Sequence, residues 1–329
     1  MNIRSLRNPD LYHGRIGRDY FEGWYFKLVN RDRSRVFAFI PGVFFNRDFV
    51  HSHSFIQVVD GIKRKYSYES FPAEQFTADR KAFEVNVGNS CFAGKGISLN
   101  LTGTNTTALG QVSFSNTLRW LDTFINPGSM GFYNYILKMQ CYSQVCSMDF
   151  ELTGSLNIDG EEIDFSGGRG YIEKNWGSAF PYSWVWVQCN HFEKGQASLS
   201  CSLAHIPFLF TSFRGFLTGL YVGKQFYAFT TMNRSTSKVY QEGSDITLHL
   251  KNRHHSLTIE CETREEDFIL LNGPREDKMI PLVQENLQGL VNITLKERTG
   301  GKVIYTDSGS CAGVEYGGQQ MLITDKSKP

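Results

Sequence analysis

Four consecutive residues near mid-chain, Glu173-Lys174-Asn175-Trp176, set an acid, a base, an amide and an indole side by side. They belong to the segment Gly167–Phe192, GGRGYIEKNWGSAFPYSWVWVQCNHF. Its first half reads as a Gly-rich loop, and its second half, from Trp184, alternates like a strand. A second segment, Phe21-Glu22-Gly23-Trp24-Tyr25-Phe26-Lys27, has similar chemistry, and the two are expected to meet. A carboxyl buried among aromatic rings is driven toward its neutral form, because desolvation disfavours the anion. It can then serve as a general acid near neutral pH. Glu22 and Glu173 are the two candidates. The competing reading is a structural ion pair with Lys27, Lys174 or an arginine.

The neighbouring residues carry paired readings of the same kind. Asn175 and Asn190 can orient a substrate hydroxyl or a catalytic acid, or serve as turn and cap residues. Alternation sets Trp184 and Trp186 on one strand face. With Trp24 and Trp176 they either line a cavity, where π faces stabilise a cation, or fill a core. His51 and His53 stand two apart on one side of a strand, with His191 as a distant third. Polar residues at a pocket mouth are the preferred reading there, and no metal is assigned.

The elements that must position these groups are strands. Runs such as Trp24–Val29, Val36–Ile40, His53–Asp60, Ile97–Thr102, Ser147–Ile158 and Gln196–His205 are short, alternating and separated by turn chemistry such as Asp60-Gly61 and Asn272-Gly273. Many short strands without interleaved helices imply an all-β sandwich or barrel. Residues 1–20 read as a polar arm. Residues 105–142 read as an apolar insert, either a plug over a barrel mouth or a packed loop, with a short helix over Leu118–Ile125. Two β units are expected, residues 1–167 and 168–329. A shared pattern, a Trp-initiated strand returning to Ile-Pro at Ile40-Pro41 and at Ile206-Pro207, supports the division.

Composition bounds the partners. The 329 residues are 41% hydrophobic and 20% charged, which makes a folded chain. The 26 Phe and 15 Tyr favour β-structure with aromatic interiors. A net charge of +1 without a basic block disfavours nucleic acid. Seven scattered Cys without a CxxC pair read as buried thiols. The N-terminus has no apolar leader and no run reaches the ~18 apolar residues of a membrane span, so a cytoplasmic location is expected. Phe208-Leu209-Phe210, with Phe213, Phe216 and Leu217, is the surface expected to touch a membrane peripherally, or else a buried loop.

FEGWYFK (Phe21–Lys27), GRGYIEKNWGSAFP (Gly168–Pro181), WVWVQCNHF (Trp184–Phe192) and CAGVEYGG (Cys311–Gly318) together resemble the hallmark segments of the tocopherol cyclase family, in the expected order. By residues alone, Gly313–Gly318 reads as a closing turn. The resemblance, to a bacterial member without a transit peptide, implies two consecutive lipocalin-like β domains with a hydrophobic pocket in or between them. It also implies kinship with carotenoid hydratases and lipocalin-like Diels–Alderases. The activity implied is that of an isomerase (intramolecular lyase). A prenylated hydroquinone is protonated at its trisubstituted alkene and the phenol oxygen closes on the cation, without a cofactor. On that reading Glu22 and Glu173 are acid candidates, while Tyr25, Lys174, Asn175 and His191 orient or relay protons. Trp24, Trp176 and Trp186 wall the cation, with Asn190 and His53 in substrate binding. The alternative is a non-catalytic lipid or isoprenoid carrier using the same cavity.

Overall fold

Aromatic and β-branched runs fold as strands throughout the computed structural model, which describes residues 3–14, 19–136, 139–195, 197–208, 211–319 and 322–325. No α-helix occurs among them. The helices are five 3-10 turns of three to five residues, and no helix is long and apolar enough to cross a membrane. The all-β expectation is borne out as two antiparallel sheets, one of twelve strands and one of ten.

The first sheet contains β1 (Tyr20–Val29), β2 (Val36–Phe45), β3 (His53–Asp60), β4 (Lys65–Pro72), β5 (Phe76–Ala78), β6 (Glu84–Val87), β7 (Ser90–Ala93), β8 (Gly96–Thr102), β9 (Thr107–Leu118), β10 (Cys141–Ile158), β11 (Glu161–Asp164) and β12 (Arg169–Gly177). Its order is β4-β3-β2-β1-β12-β10-β9-β8-β7-β6-β5, with β11 beside β10. One core draws on strands from both flanks, including Val58 of β3, Val85 of β6, Leu101 of β8 and Phe150 of β10. The sheet therefore curls around its own interior. β1 meets β12 at the middle of that order, which joins the N-terminal aromatic stretch to the first half of the central one.

The second sheet contains β13 (Ser183–Cys189), β14 (Ala197–Phe208), β15 (Thr211–Val222), β16 (Gln225–Thr230), β17 (Thr236–Glu242), β18 (Asp245–Lys251), β19 (His255–Glu262), β20 (Ile269–Arg275), β21 (Lys278–Glu297) and β22 (Val303–Gly318). Its order is β16-β15-β14-β13-β22-β21-β19-β18-β17, with β20 beside β21. Its core is mostly aliphatic, with Val187, Leu199, Leu203, Leu248, Ile259, Val291 and Val314 packed together beside Phe192, Tyr227, Phe229 and Tyr316. Two compact units result, residues 1–180 with 271–281, and residues 181–270 with 282–329. The strand β12, placed beyond the 167/168 boundary by the sequence reading, is part of the first sheet.

The insert departs from expectation in one respect. Leu118–Ile125 is not a helix. Leu118 ends β9, and the chain runs irregularly to a 3-10 turn at Gly131–Tyr135. Leu121, Phe124 and Ile125 have helical spacing but are 64%, 75% and 74% exposed, so no core rewards that period. The stretch expected to touch a membrane at Phe208-Leu209-Phe210 ends outside the described residues, at Leu209 and Phe210. Phe213, Phe216 and Leu217 are half-buried on β15.

Candidate functional site

Glu173-Lys174-Asn175-Trp176 is a strand segment, not a loop. β12 runs antiparallel to β1 without a register shift, Phe21 opposite Gly177 through Val29 opposite Arg169. Alternation then sorts the side chains. Tyr20, Glu22, Trp24 and Phe26 of β1 share the interior face with Ile172, Lys174 and Trp176 of β12, as the core membership of Trp24, Phe26 and Ile172 shows. Glu22 lies opposite Trp176, and Trp24 opposite Lys174. Acid and base therefore occupy one diagonal and the two indoles the other.

Lys174 and Glu22 are both fully buried, with Nζ 2.6 Å from Oε1. A lone buried charge would be prohibitive, and each side chain here supplies the other's counter-charge. The Pro9 carbonyl at 3.0 Å, the Leu11 carbonyl and His13 Nδ1 at 2.9 Å also lie within hydrogen-bond reach of Lys174 Nζ, so its three N–H groups are shared among four acceptors. The Glu22 carboxylate accepts from the His13 backbone N–H, 3.0 and 3.1 Å from its two oxygens, from the Gly14 N–H at 3.4 Å, and from the Tyr20 hydroxyl. The ammonium lies 5.0 Å from the Trp24 ring centroid and 4.9 Å from that of Trp176. His13 stacks on Trp176 at 3.9 Å, and Tyr142, its neighbour on β10, at 5.2 Å.

The protonation states follow. Burial alone pushes the Glu22 carboxyl up, but the Lys174 charge and the His13 contacts outweigh it and hold the group down at about 2. The expectation of a neutral acid at Glu22 is thereby reversed: it is a saturated carboxylate. Burial, with repulsion from Lys174, lowers His13 to about 4, so its imidazole is neutral near pH 7 and Nδ1 accepts from Lys174. Burial and the adjacent Glu22 push the Tyr20 phenol well up, which keeps it a donor.

The other sequence candidates are dispersed. Glu173 and Tyr25 face each other across the strands, on the face opposite Glu22. There Glu173 accepts from the Tyr171 hydroxyl at 2.7 Å and from Asn175 Nδ2 at 3.2 Å. The two acids therefore do not converge, because odd and even positions of a strand point apart. His53 opens β3 and is held by Tyr68 Oη at 2.6 Å and the His51 carbonyl at 2.7 Å, while His51 is exposed in the preceding turn. Among the described residues no three His, Cys, Asp or Glu side chains are arranged to hold a metal.

In the second unit, Trp184 and Trp186 sit over glycines of β22. A Cβ at Gly317 would come within 1.9 Å of the Trp184 ring, and one at Gly313 within 2.5 Å of the Trp186 ring. The CAGVEYGG segment is thus a strand with two slots for indoles, not a closing turn. Trp184 Nε1 donates to Glu315. Asn190 and His191 follow β13 and are buried.

Sequence reasoning missed His13 and Tyr20, which fall in the residues read as an arm. Tyr20 was within reach, since it stands two positions before Glu22 on the same strand face. His13 left no local signal. The arm is tied down by Asp10, which accepts from Gln144 Nε2 at 2.8 Å and pairs with Arg119, while Gln144 Oε1 accepts from the Ser129 N–H at 2.9 Å.

Residues 96–318 match the tocopherol cyclase-like family. The chain belongs to that family. The match includes Lys174 and Trp176 and lies downstream of His13, Tyr20, Glu22 and Trp24. The probable chloroplastic tocopherol cyclase of Oryza sativa subsp. japonica is 29% identical over 183 residues, covering 53% of this chain and 39% of that protein. The chloroplastic tocopherol cyclase of Zea mays is 28% identical over the same shares. The chain thus spans 39% of the length of these curated relatives. Among solved structures, CghA with Sch210972 is similar in fold, with a TM-score of 0.61 at 9% identity, over 93% of this chain and 90% of that one.

Proposed function

We propose that this tocopherol cyclase-like chain is an enzyme that cyclises or isomerises a hydrophobic prenylated, quinol-type or polyunsaturated substrate, with the buried Lys174 cluster as its polar centre. The observation that carries the reading is that four ionisable side chains, His13, Tyr20, Glu22 and Lys174, are linked by hydrogen bonds in a curled-sheet interior. Such a cluster costs more folding free energy than an apolar filling of the same volume, and clusters of this kind concentrate at functional sites.

In this reading Lys174 is the group that meets the substrate. Two of its donors now point at the Pro9 and Leu11 carbonyls. Those oxygens stand where a phenol or carbonyl oxygen of the substrate would be held once residues 9–13 lift away. Glu22, Tyr20 and His13 position the ammonium. Ring closure to a chromanol is redox-neutral: the proton added at the alkene carbon is balanced by the one lost from the phenol oxygen, as the new C–O bond forms. No net proton is consumed, and the cluster's part is to hold the phenol oxygen against the Lys174 ammonium. The indoles of Trp24 and Trp176 supply π faces for positive charge.

The test is incubation of the purified chain with a prenylated hydroquinone bearing a trisubstituted alkene, followed by chromatography and mass spectrometry. A product of unchanged mass and altered retention is expected from the natural sequence and not from Lys174→Gln. The complete saturation of Glu22 favours a second reading, a carrier that binds such lipids without chemistry. Apolar ligand co-purifying in the absence of any isomeric product would establish that reading and end the first.

A further inference from the structure

The arm over the Lys174 cluster carries a ring as well as oxygens. Leu11 brings its carbonyl to Nζ, and His13 its Nδ1. Between them Tyr12 sets its phenol ring beside Trp24, centroids 6.3 Å apart, and edge-on to Phe76 at 5.1 Å. Three residues thus place an oxygen at the ammonium and an aromatic ring at the indole. Those are the two groups that the head of the proposed substrate joins in one molecule.

The indole that Tyr12 covers holds a donor that nothing uses. Trp24 is wholly buried, and its Nε1 has no hydrogen-bond partner. Phe76 and Phe83 lie within 22° of parallel to its ring, at 6.1 and 6.4 Å, and offer no acceptor. Lys174 Nζ, 5.0 Å from the ring centroid, has donors only. Protein interiors seldom leave such an N–H unmade, because its lost hydration is then not recovered. The rest of the centre is closely bonded, with Glu22, Tyr20, His13 and Lys174 joined to one another. Among the described residues, Trp24 Nε1 is the one fully buried polar side-chain atom of this centre without a partner.

We propose that the Trp24 N–H is a specificity-determining donor, which takes a second oxygen on the ring whose first oxygen Lys174 holds. The role rests on Lys174 being the group that meets the substrate. Trp24 and Lys174 are directly opposed across β1 and β12, so strand pairing and not a loop fixes their spacing. With Nζ 5.0 Å from the indole centroid, both donors fall within the span of one substituted ring. Both oxygens then belong to the head group and neither to the chain. A head group with one oxygen would displace Tyr12 and leave the N–H as it is now. A head group with two would satisfy it, and that difference is what the site reads. The indole then has two separate duties, its face toward positive charge and its edge toward the oxygen.

The test is equilibrium dialysis of the full chain, which needs no turnover. The probes are an alkylhydroquinone with a saturated chain and the alkylphenol that keeps only the hydroxyl beside that chain, the oxygen used in ring closure. The natural sequence is expected to bind the hydroquinone about tenfold more tightly than the phenol. Trp24→Phe keeps a ring and removes the N–H, so it should erase that preference and leave binding of the phenol nearly unchanged. Lys174→Gln should weaken both probes. Circular dichroism melts confirm that each variant is folded. Should Trp24→Phe not fold, benzothienylalanine at position 24, with sulfur in place of the N–H, makes the same comparison at nearly unchanged shape. Equal affinity of the natural sequence for the two probes would overturn the role of Trp24. So would a folded variant that keeps the preference, or one that loses both probes equally, since ring volume alone would then count. In each of these cases weaker binding by Lys174→Gln leaves the reading of Lys174 standing. A natural sequence that binds neither probe overturns both.

Discussion

Two tryptophan pairs, one across the paired strands β1 and β12 and one along β13, do opposite things in this molecule. In the first unit, Trp24 and Trp176 flank an ammonium, each ring centroid about 5 Å from Lys174 Nζ. In the second, Trp184 and Trp186 lie over glycines, and one of them hydrogen-bonds a glutamate. The rings are alike, and the residue across the strand decides their use. Opposite Trp24 stands Lys174, which brings a charge and its counter-ion. Opposite Trp184 stands Gly317, which brings only room. The cation that aromatic walls were expected to stabilise is, in this structure, the lysine's own.

The contrast predicts unequal costs of substitution. Lys174→Met strands Glu22 as a buried anion and should remove about 3–5 kcal/mol of stability in denaturant titrations of the full chain. Adding Glu22→Gln to it should restore part of that loss, and a double variant worse than Lys174→Met alone would break the ion-pair account. Gly317→Ala crowds a ring instead, and the expected loss is about 1–3 kcal/mol with altered tryptophan fluorescence. If Gly317→Ala proves costlier than Lys174→Met, the second pair is the more constrained.

The smallest effect is a slope. His13 in the folded chain titrates at about 4, below its ordinary 6.5, so between these values the unfolded chain binds more protons and stability falls as pH falls. Glu22, held at about 2 against an ordinary 4.5, continues the decline from 4.5 downward. Melting temperature should therefore drop steadily on acidification from near-neutral pH. His13→Phe should flatten the part between 6.5 and 4 and reduce the lower part, which Lys174 still sustains. An unchanged profile in that variant would remove His13 from the cluster.

The fold was readable wherever one strand face is wet, as in Ile97–Thr102, because alternation reports burial directly. It was misread where both faces are buried. Charged residues inside β12 looked like loop chemistry, yet Lys174 is neutralised by Glu22 across the pairing and Glu173 is bonded by Tyr171 and Asn175. The convergence of β1 with β12 was anticipated from like composition, but its register was not, and register is what separates Glu22 from Glu173. His13 was invisible, since nothing local distinguishes a polar tail from one folded back over a lysine 161 positions later. The helix expected at Leu118–Ile125 failed because the period was real and the core was elsewhere.

The pairing of β1 with β12 has a further consequence at the ribosome. Synthesis proceeds at ~5–20 residues per second, so roughly 7–30 seconds separate the emergence of the two strands. Throughout that interval the nascent β1 presents an open edge and an acid without its cation. Completion of the first sheet is therefore a late, long-range event, and this is the stage at which an unassisted chain is most exposed to aggregation.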